Sequence, residues 1–306
     1  MNSDLSVWLY KQVYCRLIGS VLPAHWFGPR PPEANALSQP QGRLKLEIVS
    51  HCWQYAHLSV YQLSSLVNHP PKDIDLTYTL FYAEEDTATA KLVEMFGQMD
   101  IPNISWQWRP VTREQIFRRA IGRNQAALST AADWIWFADC DLIFHAGCLD
   151  SITPALRTVS TRLAYPATEK ITELLAADDP IVNLPTDQPM VVDIDPTMFS
   201  LSSITKAKGA FQIVHGDVAR TCGYCKDLAL YQQPTNRWRK TFEDTAFRRL
   251  INDDGVAVPI EGLHRIRHQV KGRYAKDSAL SQIRQSLRKI TDRQRTPDDL
   301  KDTQHD

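Results

Sequence analysis

Between Leu44 and Asp141, short apolar runs alternate with stretches of helical periodicity, and the last run (DWIWFA, residues 133–138) stops abruptly on Asp139-Cys140-Asp141. The strand candidates are Leu44–Cys52, Leu76–Tyr82, Ile104–Trp108 and Asp133–Ala138. Helix candidates lie between them at Leu58–Val67, Ala88–Met99 and Glu114–Ala132. Strands separated by helices of that length do not pair as hairpins; they run largely parallel, with helices over both faces. The expected fold is therefore α/β with a mostly parallel sheet. In such sheets ligands sit beyond the carboxyl ends of the strands, so the chemistry is expected where these runs stop.

Beyond residue 150 the regularity weakens. Residues 176–197 hold four prolines and five aspartates, the composition of an irregular excursion or a lid. Gly209–Val214 and Val256–Ile260 read as strands, Thr241–Ile251 as a helix, and 276–294 as a charged helix before a frayed end. Residues 23–43 carry five prolines and few apolar side chains, and read as a linker. The chain thus divides into an N-terminal helix and linker (1–43), a domain (44–270) and a charged C-terminal helix with its tail (271–306).

Thirty-five basic residues offset thirty-five acidic ones. That excludes a general nucleic-acid coat or a polybasic membrane binder, while leaving room for a local basic patch. Six cysteines in 306 residues are too few for a disulfide framework. Cys222-Gly-Tyr-Cys225 has the spacing of half a zinc site, but no second pair accompanies it, so the thiols read as reduced and structural. Residues 7–22 are apolar but interrupted by Lys11, Gln12 and Arg16, and fall short of the roughly 18 to 20 residues of a membrane span. They read as an amphipathic helix packed on the domain; the competing reading is a helix lying on a membrane surface. The matching location is cytoplasmic, or peripheral to the inner face of the membrane.

In extended chain, Asp139 and Asp141 project to one side and Cys140 to the other. Two carboxylates that close repel each other unless a cation lies beside them. Hard oxygen donors suit Mg²⁺ or Mn²⁺, which keep positions open for phosphate oxygens. The plainer alternative is a solvated strand end paired with basic side chains. Upstream, Arg119 and Arg123 stand four apart on one helical face. Guanidinium groups match phosphate in a planar, bidentate way, and an exposed charged face explains the same spacing. Thr241-Phe242-Glu243-Asp244 opens a helix, either as a capping box or as carboxylates placed to act as general base toward a hydroxyl. His264-Arg265-Ile266-Arg267-His268 offers an imidazole to complete a metal site, or else forms a basic surface segment with Lys271 and Arg273.

Taken in order, these residues resemble the GT-A nucleotide-sugar glycosyltransferases, in two branches. Family 2 enzymes carry an Arg-Asn pair on a helix that runs into an apolar strand and a DxD, as Arg123-Asn124 precedes Asp139 here. Family 7 β-1,4-galactosyltransferase-like enzymes carry FxRA, DxDLI, an ED-xx-F-x-RL helix and a later IRH. The chain has Phe117-Arg118-Arg119-Ala120, Asp139-Cys140-Asp141-Leu142-Ile143, Glu243-Asp244 with Phe247, Arg249 and Leu250, and Ile266-Arg267-His268. The resemblance spans residues 44–270.

The resemblance implies a GT-A fold and a Mn²⁺ or Mg²⁺ ion held by Asp139, Asp141 and His268, with His264 as the alternative ligand. It implies a nucleotide-sugar donor, UDP-sugar favoured, contacted by Phe117, Arg119, Arg123, Asn124 and Asp139. Asp86, in Ala83-Glu84-Glu85-Asp86-Thr87, stands where the acidic loop after these families' second strand meets the nucleobase. Asp244 is the implied catalytic base, with Glu243 beside it shaping the site of a glycan, lipid-linked or protein acceptor; no nucleic acid is involved. Val49-Ser50-His51-Cys52-Trp53 replaces the families' Pro-containing loop around the base. Arg239-Lys240-Thr241-Phe242 replaces a glycine-rich approach to the Glu-Asp pair.

The implied reaction is an in-line displacement with inversion, in surface or secreted glycan synthesis, with residues 176–197 closing over the donor. Two other functions fit parts of the pattern. A haloacid-dehalogenase-type phosphatase would use Asp139 as nucleophile and Asp253-Asp254 as its later acidic pair, but Ile143 stands where that family has Thr or Val. A GT-A-shaped binding protein without turnover would not need the acids at 139, 141 and 244.

Overall fold

The computed structural model describes residues 22–238 and 241–269. All but the last residue of the 7–22 helix, together with Cys15, Arg239, Lys240, Lys271, Arg273 and the 276–294 helix, lie outside the described residues.

Leu44–Cys52 (β1) is buried along its length except at Lys45, as a strand covered on both faces must be. It pairs in parallel with Ile74–Tyr82 (β2), from Leu44 opposite Ile74 to Cys52 opposite Tyr82. Ile104–Pro110 (β3) adds to β2. On its other side β1 takes Trp134–Phe137 (β4), with Val49 opposite Phe137. The crossovers are Ala56–Asn68 (α1), Thr87–Gly97 (α2), and a pair, Arg113–Ile116 (α3) and Arg119–Ser129 (α4).

That pair corrects the single helix expected over 114–132. The chain leaves helical geometry at Arg118 (φ −118°, ψ 77°). Residues two apart on a continuous helix do not share a face; the break lets Phe117 and Arg119 both reach the same cleft.

Leu163–Pro166 (β6), Gln212–His215 (β9) and Val256–Val258 (β10) complete a seven-stranded sheet of order β10-β6-β9-β4-β1-β2-β3, in which β9 alone runs antiparallel. The mostly parallel α/β sheet flanked by helices is thus what the chain forms. A second sheet, of order β5-β11-β7-β8, was not expected. It joins Leu142–Phe144 (β5), Thr168–Ile171 (β7), Ser200–Ser203 (β8) and Leu263–Arg265 (β11). The remaining helices are Cys148–Thr158 (α5), Gly216–Cys222 (α6), Ala229–Gln232 (α7) and Glu243–Leu250 (α8). Among the described residues no helix is long and apolar enough to cross a membrane.

Two segments behave differently from their composition. Residues 23–43 are strapped to the domain: Arg162 donates to the Pro32 carbonyl (2.7 Å), the Ser160 hydroxyl to that of Ala34 (2.8 Å), and Ser38 N–H to Asp217 (2.8 Å), with Leu37 buried. Proline-rich chain cannot join a ladder, but it lies well along a surface that supplies the donors. Residues 176–197 pack on α1, where Val192 exchanges hydrogen bonds with Ser64 and Asn68 (both 3.0 Å) and Val182 and Ile194 are buried.

Strand order reverses at β1, whose neighbours β2 and β4 are reached in opposite directions. A crevice at the carboxyl ends follows from that reversal.

Candidate active site

The crevice between the ends of β1 and β4 holds two adjoining compartments. One, of about 640 Å³, has aromatic walls from Trp53, Tyr55 and Phe117, with His51 and His268 beside them. The other, of about 810 Å³, is lined by Lys208, Gly209, Phe242, Glu243, Asp244 and Arg265 among others. Arg119, Asp139, Asp141 and Trp238 line both and form the partition. Residues 176–197 line neither, so the lid expected over the donor is not where the segment lies; Val182 and Ile194 are buried where it packs.

The two acids converge, but not by strand alternation. β4 ends at Phe137, and Asp139–Leu142 is a turn closed by the Leu142 N–H on the Asp139 carbonyl (3.2 Å). Cys140 therefore lines the same compartment as both acids instead of turning away. The turn is pinned from the second sheet, where Ile266 N–H donates to the Asp141 carbonyl (3.0 Å). His268 borders the compartment edge-on to Tyr55, ring centres 5.6 Å apart.

Asp139 is gripped by guanidinium groups. Arg119 Nη1 lies 2.5 Å from Asp139 Oδ1, and Arg123 Nη2 lies 3.6 Å from the same oxygen. Arg119 also reaches Glu243 Oε1 (3.6 Å), bridging an acid of the parallel half to one of the second half. Burial opposes the Arg119 charge, but Asp139 and Glu243 outweigh it and push its pKa up. Burial would likewise raise Glu243, yet Arg119, Arg123 and the Thr241 hydroxyl (2.6 Å) hold its carboxyl below the usual range.

Asp244 accepts the Gly209 N–H (3.1 Å) and faces the second compartment. The capping box expected at Thr241 does not form. Phe242 occupies the N-cap of α8 in the left-handed region (φ 57°, ψ 36°), uncommon for a bulky side chain, and Thr241 bonds Glu243 instead.

Arg123 lines the second compartment; it is fully buried, donates to the Tyr224 hydroxyl (2.9 Å) and packs over Phe137 and Tyr224, so it backs Asp139. Other expected residues lie elsewhere. Asn124 lines neither compartment: it accepts from Tyr224 N–H (2.9 Å) and donates to Gln232 (3.3 Å). Asp86 is the N-cap of α2, accepting from Gln54 N–H (2.6 Å) and the Thr89 hydroxyl (2.7 Å), and is absent from both linings. His264 is buried against Phe199 (ring centres 4.6 Å apart) away from the cleft, which removes it as the alternative ligand; burial, with His145 and Lys170, pushes its pKa down to about 4. Asp253 serves Arg162 N–H and Gly255 N–H, and Asp254 pairs with Arg248. Neither joins Asp139, so the phosphatase pattern is not assembled. Cys222 and Cys225 are buried thiols, the latter donating to the Glu243 carbonyl (3.6 Å).

Sequence reasoning missed Trp238, Lys208, Gly209 and Tyr55 as lining, and placed His51 and Trp53 only as part of the segment standing for the families' loop around the base. His51, Trp53 and Tyr55 lie at or just beyond the end of β1, a position that in a parallel sheet already marks the crevice. For Gly209 no local signal exists, since its role is a backbone N–H brought to Asp244 by tertiary contact.

Among the described residues no three His, Cys, Asp or Glu side chains stand close enough together to hold an ion as they are placed. Two hard carboxylates nevertheless share the partition with an imidazole alongside. The second compartment's four cationic side chains are matched by four acidic ones, so a diphosphate would bring charge that these residues do not offset. Asp139, Asp141 and His268 are donors of the type a hard dication takes, and as placed they do not form a closed site.

No protein-family model and no curated protein matches the chain. Among solved structures it is similar to the 1–349 fragment of S. aureus TarS at 11% identity over 74% of this chain and 58% of that one, TM-score 0.38. It is similar to the same fragment in complex with UDP-GlcNAc at 10% identity over 77% and 62%, TM-score 0.44. With the UDP complex the figures are 12%, 73% and 60%, TM-score 0.43. The chain spans about three fifths of the length of these structures, and the reading of the cleft rests on the chain's own residues.

Proposed function

We propose that this chain is a GT-A-type glycosyltransferase that moves a sugar from a nucleotide-sugar donor, UDP-sugar favoured, to a hydroxyl of a glycan, lipid-linked or protein acceptor, with inversion. The observation that carries the reading is the partition: Asp139, Asp141 and Arg119 stand between an aromatic compartment and one holding Asp244. Trp53 and Phe117, edge to face at 5.5 Å, offer apolar faces for a base. The anomeric carbon then lies over the partition, and the acceptor enters beside Asp244.

Asp244, oriented by Gly209 N–H, takes the proton of the acceptor hydroxyl. The hydroxyl oxygen bonds the anomeric carbon as the bond to the diphosphate breaks. General-base help of this kind is worth about 10² to 10⁴ in rate. Glu243, kept ionised by Arg119, holds that guanidinium at the partition, where it faces charge growing on the leaving diphosphate. Asp139, Asp141 and His268 are the residues that would hold Mn²⁺ or Mg²⁺, which supplies Lewis-acid neutralisation of the diphosphate when bound.

The test is thermal shift and UDP release with Mn²⁺ and a panel of UDP-sugars, water serving as surrogate acceptor. Asp141→Asn is expected to abolish the shift, and Asp244→Asn to keep it while losing turnover by about 10²-fold or more. No shift with any nucleotide sugar, or unchanged turnover in Asp244→Asn, overturns the assignment.

A further inference from the structure

We propose that Cys52 and Cys140 are a site of oxidative modification, a dithiol that a hydroperoxide closes to a disulfide and that thereby takes Asp139 and Asp141 out of place. The effect on sugar transfer rests on the nucleotide-sugar reading above; the bond itself does not.

The pairing is built into the sheet. β1 and β4 run parallel with Val49 opposite Phe137, and the Ala138 N–H continues the ladder to the Val49 carbonyl (2.9 Å). Cys52 and Cys140 each stand three residues beyond that pair. Neighbouring strands lie about 4.8 Å apart, within the roughly 4.4 to 6.8 Å between Cα atoms that a disulfide spans. The two side chains meet, thiol hydrogen-bonded to thiol. Cys52, the last residue of β1, is fully buried, and its sulfur also contacts the Thr89 hydroxyl (3.2 Å). Cys140 borders the aromatic compartment, so a small oxidant meets it first. Buried cysteines often pack as small apolar groups. This pair differs in its place: one sulfur sits between the two acids of the partition, and the other is fixed to the central strand.

The Cys140 sulfur takes an oxygen from hydrogen peroxide as the O–O bond breaks, leaving a sulfenic acid and one water. The Cys52 sulfur then bonds that sulfur; the S–O bond breaks, and the oxygen leaves with the Cys52 proton as a second water. Two electrons pass from the thiols to the peroxide. Sulfurs that stood in hydrogen-bond contact are drawn to about 2.05 Å. β1 lies in a ladder nine residues long, whereas the Asp139 carbonyl is held by the Leu142 N–H (3.2 Å) and the Gln62 amide (2.9 Å) alone. The contraction therefore falls on the turn and moves the acids on either side of Cys140. A misplacement of about 1 Å in a reacting site can cost 10²-fold in rate.

The test oxidises the full chain with hydrogen peroxide or with diamide, which closes thiol pairs without adding oxygen. Mass, a tryptic map, and the thermal shift with Mn²⁺ and UDP are then read. The wild type is expected to lose the mass of two hydrogen atoms and to yield a peptide joining Cys52 to Cys140. Cys140 and Cys148 share one tryptic peptide, so fragmentation assigns the bridge. The Mn²⁺–UDP shift is expected to vanish and UDP release to fall about tenfold or more, and dithiothreitol is expected to restore both. Cys52→Ser, whose hydroxyl can keep the Thr89 contact, is expected to behave like the reduced wild type before and after diamide and to form no bridge. A wild type whose Cys140 ends only as sulfinic acid, or whose only bridge joins Cys222 to Cys225, overturns the assignment. So does a Cys52–Cys140 bridge that leaves the shift and the turnover of the reduced chain unchanged. If the bridge forms but the reduced chain shows no Mn²⁺–UDP shift, the transferase reading falls and the dithiol stands. If the shift is present and no bridge forms, the dithiol alone falls.

Discussion

From Leu44 to Phe137 the chain lays four strands parallel, each returned by helix, and β1 and β2 pair along nine residues without interruption. From Leu163 to His268 the strands are three or four residues long, one runs antiparallel within the main sheet, and others leave to build the smaller sheet. The first region is held by apolar layers above and below a ladder. The second has buried apolar side chains too, such as Val218, Phe247 and Ile251. It adds polar contacts between residues apart in sequence, such as the paired bonds of Arg265 to Glu169 (2.7 and 2.6 Å) and the Tyr224 hydroxyl on Gln212 (2.8 Å). A ladder places a rim of backbone and the groups just beyond it. A lattice of side-chain contacts brings Glu243, Asp244 and His268 to that rim from remote parts of the chain.

Trp136 tests whether the two regions are one cooperative unit. It lies fully buried in β4, edge-on to Phe144 (5.4 Å), and its indole donates to the Ala210 carbonyl of the second region (2.8 Å). Trp136→Ala is expected to cost about 3–5 kcal/mol, the range for removing a buried aromatic. Urea unfolding followed by both far-UV and tryptophan signals measures it. A single transition shifted in both signals means that the regions fold together. A biphasic curve, with the parallel half outlasting the rest, means that the contrast extends to stability.

His264 gives the second region an acid sensitivity of its own, beside the one that buried His51 gives the first. The pKa of His264 is about 4 in the fold against an ordinary 6.5. Above 6.5 the histidine adds no pH dependence. Between 6.5 and 4 the unfolded chain takes up a proton that the folded chain refuses, so stability falls, and below 4 the loss is complete. The span corresponds to about 3 kcal/mol at most. Buried His51 and His215 and half-buried His69 act in the same direction, so His264→Phe, which keeps the stack on Phe199, should remove part of the slope between pH 7.5 and 5. An unchanged urea midpoint difference would show that the residue titrates normally.

Much of the first region was legible in the residues. Leu44–Cys52 forms a strand with the expected bounds, and the apolar run ending in two aspartates does open on the cleft, because period and burial are properties of neighbouring residues. What could not be read was set by distance. Nothing near Asp86 says that Gln54 N–H will occupy it, and nothing near Asn124 that Tyr224 will. The break at Phe117–Arg118 serves a cleft built from four other segments. The smaller sheet joins strands of three or four residues from positions 142 to 265, too short for periodicity to reveal. For the same reason, composition alone misplaced both proline-rich segments: prolines exclude a ladder, but they do not say what the chain lies against.

The strap over residues 23–43 gives the smallest effect. Asp217, on α6, accepts the Ser38 N–H (2.8 Å) and pairs with Arg220 (2.7 Å). Burial would raise its pKa, yet Ser38 and Arg220 hold it at about 2 against an ordinary 3.8. Its stabilisation is therefore fully present above 3.8 and is lost as pH falls through 2. Allowing for its partial exposure, Asp217→Asn should cost about 1–2 kcal/mol at pH 7, and the gap from wild type should close as pH approaches 2. The penalties of His51, His69 and His264 are common to both proteins and cancel in that difference, whereas that of His215, 3.7 Å from Asp217, does not. With His215→Gln in both proteins, urea midpoints at pH 7, 4 and 2 isolate the carboxylate. Limited proteolysis adds a positional readout: release of Ser38 should expose residues 23–43 to cleavage while the parallel strands remain intact. A gap that persists unchanged at pH 2 would mean that Asp217 holds the strap through packing and not through its charge.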